Sequence, residues 1–270
     1  MFAVADFSAI EARVISWLAG EQWRLEVFKT HGKIYEASAS QMFGVPIEKI
    51  VKGNPEYELR QKGKVAELAL GYQGGSGALI QMGALSKGLT EEELPEIVKR
   101  WRNANKRIVD LWYTVQNAAI NCLMTGQTQV MQKNISFSCE HNSLVVTLPS
   151  RRQLFYVEPT ISTNSCGGDV LSYMGQNQTT KKWERIPTYG GKLTENLVQA
   201  IARDCLTEAL TNLTNAGYRA LFHIHDEIIA EVPDFGPNSN QIMLDDMIKI
   251  MCQIPSWAEG LPLNADRIYK

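Results

Sequence analysis

Hydrophobic positions along the chain change period several times, and each change marks an element. Residues 2–5 form a short apolar run closed by Asp6, after which Ile10, Val14, Trp17 and Leu18 return at helical spacing. This pattern predicts a strand that delivers Asp6 to the start of a helix. Residues 31–43 read as a helix stopped by Gly44 and Pro46, and residues 56–72 as another that runs into Gly74-Gly75-Ser76-Gly77. Residues 89–124 are mostly helical, opened by Thr90-Glu91-Glu92-Glu93 and closed by Gly126.

The period then shortens to two. Segments 129–131, 135–138, 144–148 and 153–157 alternate β-branched or aromatic residues with polar ones and are separated by turns. A helix over 194–216 is capped by Gly217. Two apolar runs, 220–224 and 228–232, flank His225-Asp226-Glu227, which predicts a hairpin with acids at its tip. A last helix spans about 239–254, and a strand is expected near 267–269. Helices and antiparallel strands are mixed rather than alternating, so the class is α+β.

Composition narrows the partners only slightly. The 270 residues carry 27 Lys and Arg against 29 Asp and Glu, with 44% hydrophobic and 21% charged residues, a globular balance that excludes a disordered chain or a histone-like polycation. A neutral total leaves room for local basic surfaces. No run is long and apolar enough for a membrane span, and Asp6, Glu11 and Arg13 break any signal-peptide pattern, so a cytoplasmic setting is expected. Cys122, Cys139, Cys166, Cys205 and Cys252 form no CxxC pair and are expected to be reduced packing residues.

Three groups of residues could carry chemistry. Asp6 and Asp226, each at a strand end, either cap turns or share divalent cations, helped by a backbone carbonyl such as that of Phe7. Arg60, Lys64, Leu68 and Tyr72 recur every four residues, which makes one stripe along a helix. That stripe is either an ordinary amphipathic face or a triphosphate site with two cations and two residues for sugar and base. Lys99, Arg100, Arg102, Lys106 and Arg107, interleaved with Trp101 and Trp112, are either a solvated face or a seat for duplex phosphates, to which Arg151, Arg152, Lys181, Lys182 and Arg185 in loops would add.

Taken together, these segments resemble one family. Asp6-Phe7-Ser8-Ala9-Ile10-Glu11-Ala12-Arg13 resembles the first catalytic motif of family A DNA polymerases, Arg60-x3-Lys64-x3-Leu68-x3-Tyr72 their fingers-helix motif, and His225-Asp226-Glu227 their third motif. The likeness continues through residues 42–46, 148–151 and 189–192 to 199–204, and is greatest to the bacteriophage and prophage branch. The resemblance implies that Asp6 and Asp226, with the Phe7 carbonyl, hold two Mg²⁺ ions, and that Glu227 is an auxiliary acid near the primer end. It implies that Arg60, Lys64, Leu68, Tyr72 and Tyr35 bind the dNTP, with Glu11 beside the sugar to exclude a 2′-hydroxyl. Arg13, Gln199, His225 and Arg151 would contact primer-template DNA.

Leu68 stands where the family usually has Phe or Tyr, and Tyr35 where many cellular relatives have a phosphate-binding His. The expected architecture is a polymerase right hand reduced to an antiparallel palm sheet (residues 1–19 and 131–270) and mainly helical fingers (20–130). Neither thumb nor 3′ to 5′ exonuclease is expected, since the chain starts five residues before Asp6 and offers no second acidic cluster. A separate N-terminal thumb or exonuclease polypeptide is then a possible partner. The expected activity is template-directed addition of dNTPs to a primer 3′-hydroxyl by two-metal nucleotidyl transfer. The alternatives are a catalytically weak primer-template binding module and a two-metal nuclease.

Overall fold

A computed structural model describes residues 1–163, 167–234 and 236–267. In chain order the elements are β1 (Phe2–Phe7), α1 (Ile10–Ala19), α2 (Gln22–Thr30), α3 (Ile34–Phe43), α4 (Glu58–Leu70), α5 (Ser76–Gln81), α6 (Leu94–Ala104), α7 (Lys106–Thr125), β2 (Gln129–Val130), β3 (Ser136–Glu140), β4 (Ser143–Thr147), β5 (Gln153–Thr163), β6 (Asp169–Gln176), β7 (Trp183–Thr188), α8 (Gly190–Asn215), β8 (Arg219–Ile224), β9 (Glu227–Glu231), α9 (Pro237–Met251) and β10 (Ala265–Arg267). Helices and antiparallel sheets are mixed, as an α+β chain requires. The chain divides into two compact units, residues 1–17 with 198–270, and residues 18–197.

The first unit is built on a four-stranded antiparallel sheet in the order β10-β1-β9-β8. The register sets Asp6 opposite Asp266 on one side and opposite Glu227 on the other. Ile10, Val14 and Trp17, the apolar face of α1, are buried, as their spacing demands. Trp17 also donates from Nε1 to the Glu259 carbonyl (2.8 Å), which fastens α1 to the C-terminal segment. Strand β10 precedes the expected 267–269 segment, of which residues 268 and 269 lie outside the described residues, as does Cys166.

The second unit combines helices α2 to α7 with a six-stranded antiparallel meander, β2 to β7, in sequence order. Residues 131–197, expected with the palm, cluster here with the helical region. The physical reason is that α7 lies along β2 to β5, burying Ile108, Leu111, Val115 and Ala119, while Ile135, Phe137, Leu144 and Val146 are buried from the sheet. The start of α8 is held here as well. A Cβ on Gly190 would stand 2.1 Å from the Trp112 carbonyl oxygen and one on Gly191 2.3 Å from that of Tyr72, so only glycine permits the approach. The two amides donate to Gln116 and Gln73 side-chain oxygens, both at 2.9 Å.

Helix α2 and strands β6 and β7 run against expectation. Helix α2 was hidden because Arg24 occupies a core position, and β6 and β7 because Gly175 and Pro187 interrupt their alternation. Pro187 is tolerated on β7 because that strand is an edge. Arg185 is accordingly a strand residue, not a loop residue. Trp101 and Trp112 are fully buried and stacked at 6.2 Å, so they belong to the core and offer no platform to nucleic acid.

Candidate active site

Asp6 reaches its place by alternation. In β1 the residues Ala3, Ala5 and Phe7 face the core, which turns Asp6 to the half-open face beside Glu227 and Asp266. Asp226 follows from the hairpin, since His225 and Asp226 form a two-residue turn closed by the Ile224–Glu227 pair. The Phe7 amide donates to the Asp226 carbonyl at 3.2 Å, so the turn sits against the end of β1. Acids more than two hundred positions apart are thereby brought to the same end of the sheet, where burial and the Asp226 charge raise the Asp6 pKa.

The electrostatics of this corner are unfavourable without a cation. The Asp6 carboxyl is pushed up to about 6 by burial first, then by Asp226, Glu227 and Asp266. Hard carboxylate oxygens, an adjacent backbone carbonyl and an excess of negative charge are the donor set that suits Mg²⁺. Among the described residues no three His, Cys or acidic side chains close into a ready-made cage. The residues fit a divalent ion held by two carboxylates with backbone and external oxygens. Asp266 carries no local signal in the sequence and joins this corner only through the pairing of β1 with β10.

The turn carries a conformational cost. His225 has a φ of 54°, a left-handed value that costs a non-glycine residue about 1–2 kcal/mol. Arg13 is nearly fully buried, and its guanidinium donates to the Ser8 carbonyl (2.6 Å) and the Pro262 carbonyl (2.7 Å). It thus ties the exit of β1 to the segment entering β10, and burial lowers its pKa. Glu11, in the first turn of α1, and Gln199, on α8, are exposed, as is His225. These residues all lie in the first unit.

The cationic stripe belongs to the second unit. Arg60, Lys64 and Leu68 lie on α4, with Tyr72 two residues beyond its end, and Leu68 is half exposed. Tyr35, in the first turn of α3, gathers both cations: the Arg60 guanidinium lies 5.4 Å and the Lys64 ammonium 5.9 Å from its ring centre. Burial, followed by the Glu67 charge, pushes the Tyr35 phenol above its ordinary value, so it remains a neutral donor. Gly63 makes this cluster possible, because a Cβ there would stand 2.2 Å from the Tyr35 carbonyl oxygen. Gly63→Ala is expected to cost about 1–3 kcal/mol by forcing α3 and α4 apart; an unchanged thermal midpoint would show that the helices yield freely.

The remaining basic residues are partly committed to the protein. Arg102 donates to the Gly74 carbonyl (3.0 Å) and lies over Trp112, and Arg100 pairs with Glu96 and the Met42 carbonyl. Arg151 is exposed at the β4–β5 turn with a φ of 73°. No described helix is long and apolar enough to cross a membrane.

Comparison with known proteins decides the family. The family model described as DNA polymerase family A matches residues 1–263. The chain belongs to DNA polymerase family A. A DNA polymerase of Bacillus phage SP02 is 58% identical over 266 residues, which are 98% of this chain and 40% of that protein. DNA polymerase I of Mycobacterium bovis is 30% identical over 97 residues, 36% of this chain and 10% of its own. The chain therefore spans well under half the length of these relatives. The fold is similar to the solved POL domain of Pol1 from M. smegmatis in complex with DNA primer-template and dNTP, with a TM-score of 0.61 and 18% identity over 98% of this chain and 39% of that one.

Proposed function

We propose that the chain is the core of a template-directed DNA polymerase that adds dNTPs to a primer 3′-hydroxyl. The observation that carries this reading is the meeting of Asp6 and Asp226 at one end of the first sheet, in a family A chain whose second unit presents Arg60 and Lys64 around Tyr35. In this reading the first unit does the palm's chemistry, and α3 and α4 serve as the nucleotide-binding part of the fingers.

Asp6, Asp226 and the Phe7 carbonyl would hold two Mg²⁺ ions, which supply Lewis acidity toward the 3′-hydroxyl and the leaving pyrophosphate. Arg60 and Lys64 neutralise the triphosphate, and the Tyr35 hydroxyl donates to it without adding charge. Leu68 and Tyr72 contact sugar and base, Leu68 by aliphatic contact. Glu11 obstructs a ribose 2′-hydroxyl. Glu227 is an auxiliary acid near the primer end, and Gln199, His225 and Arg151 face primer-template DNA. Arg13 acts on that DNA indirectly, by fixing the backbone on which Asp6 stands.

Primer extension with Mg²⁺ and dNTPs tests the reading. Elongation supports it, binding without elongation supports a binding module, and primer shortening supports a nuclease. Glu11→Ala is expected to raise ribonucleotide incorporation at least tenfold relative to dNTPs, and an unaltered ratio removes its gate role. Lys64→Ala is expected to raise the KM for dNTPs about tenfold with little change in DNA affinity. The opposite pattern would place Lys64 on the template.

A further inference from the structure

Arg60 is not held as a bare cation. Its Nε donates to Glu36 Oε1 at 2.9 Å, and both side chains are mostly buried, at 27% and 13% exposure. The guanidinium also stands 5.4 Å from the Tyr35 ring centre and 6.0 Å from that of Tyr57. The bond from Nε is its one hydrogen bond among the described residues. Glu36 reaches it because Tyr35 and Glu36 share the first turn of α3, which packs on α4 across Gly63.

A carboxylate beside a site for a polyanion is a charge cost, and its presence calls for a reason. A guanidinium has five N–H donors in a rigid planar fork, and a partner on Nε leaves the terminal pair for a second acceptor. We propose that Glu36 is a positioning residue for the triphosphate, gripping Arg60 by Nε so that its two terminal nitrogens meet a phosphate as a preset pair. The inference deepens the proposed function and rests on Arg60 as a triphosphate ligand. Glu36 touches no substrate; it acts through Arg60.

Charge and hydrogen bonding make opposite contributions at this position, which separates positioning from a structural role. Glu36→Gln keeps the Oε1 acceptor and removes the negative charge, whereas Glu36→Ala removes both. Calorimetric titration of the full chain with dTTP and with inorganic tripolyphosphate, in Ca²⁺ to prevent turnover, reads binding directly. Glu36→Ala is expected to weaken both ligands about tenfold, and Glu36→Gln to bind them as tightly as the unaltered chain or up to several-fold more tightly. Equal weakening in both variants, or none in Glu36→Ala, overturns the inference. Arg60→Ala is the control: if it binds as the unaltered chain does, or if the unaltered chain binds neither ligand, the reading of Arg60 itself falls. Circular dichroism and thermal melts confirm that each variant compared is folded.

Discussion

Asp226→Asn, like Asp6→Asn, is expected to abolish primer extension while the protein stays folded. The expected loss is about a thousandfold or more, because in the proposed function metal ions held by these carboxylates would contribute several kcal/mol to the transition state and each ~1.4 kcal/mol is a factor of ten. The fold survives because the carboxylates work against it in the absence of metal. Asp6 titrates near 6 in the native chain against an ordinary value of 3.8, so the native state holds this proton more tightly than the unfolded chain does. Native stability from this group therefore declines as pH rises from about 4 and has been lost above about 6. In EDTA, Asp6→Asn should gain on the unaltered chain as pH is raised from 4 to 7.5. Retained extension in either variant would dismiss the carboxylates as ligands. A stability gap that narrows with pH would contradict the charge crowding.

Glu67→Ala is expected to destabilise the second unit by about 3–5 kcal/mol, the usual cost of leaving one partner of a buried ion pair alone. Arg24 and Glu67 have almost no exposed side-chain surface and meet through two hydrogen bonds. Trp101 Nε1 donates to the same carboxylate at 3.0 Å, and the Asn105 side-chain oxygen accepts from Arg24 at 3.0 Å. Glu67 is on α4, one residue before Leu68, so the pair also locks the rotation of the helix that carries Arg60 and Lys64. The double variant Arg24→Met with Glu67→Leu should recover part of the loss, because apolar side chains of similar volume need no partner, while the Trp101 N–H and the Asn105 oxygen lose theirs. Denaturant unfolding measures both. A single variant within about 1 kcal/mol of the unaltered chain would show that water reaches the pair.

What could be read in the chain depended on how local the determinant is. The spacing of Ile10, Val14 and Trp17 announced α1, and the apolar runs flanking His225-Asp226-Glu227 announced the hairpin, since each pattern is completed within a few residues. Asp6, Asp226 and the Arg60 stripe stood out for the same reason, as polar residues at fixed places in short patterns. Arg24 misled because a buried cation looks like a surface residue until Glu67, on another helix, is brought to it. The glycine-rich run 74–77 marked the end of a helix, yet α5 begins within it at Ser76. Asp266 and Glu36 carried no local signal at all. One acquires its meaning from strand register beside Asp6 and the other from a helix contact with Arg60.

By itself the sequence determined the class of the fold, most helices and hairpins, the family and the acids and cations proposed for the chemistry. Each of these is a matter of residue type and short-range period, which physical chemistry converts directly into local conformation. Tertiary structure alone decided which charges neutralise one another, which glycines admit a neighbouring carbonyl, and that residues 131–197 cluster with the helical region. Those outcomes depend on groups far apart in the chain whose separation is set only when the sheets and helices close, so no window of sequence contains them.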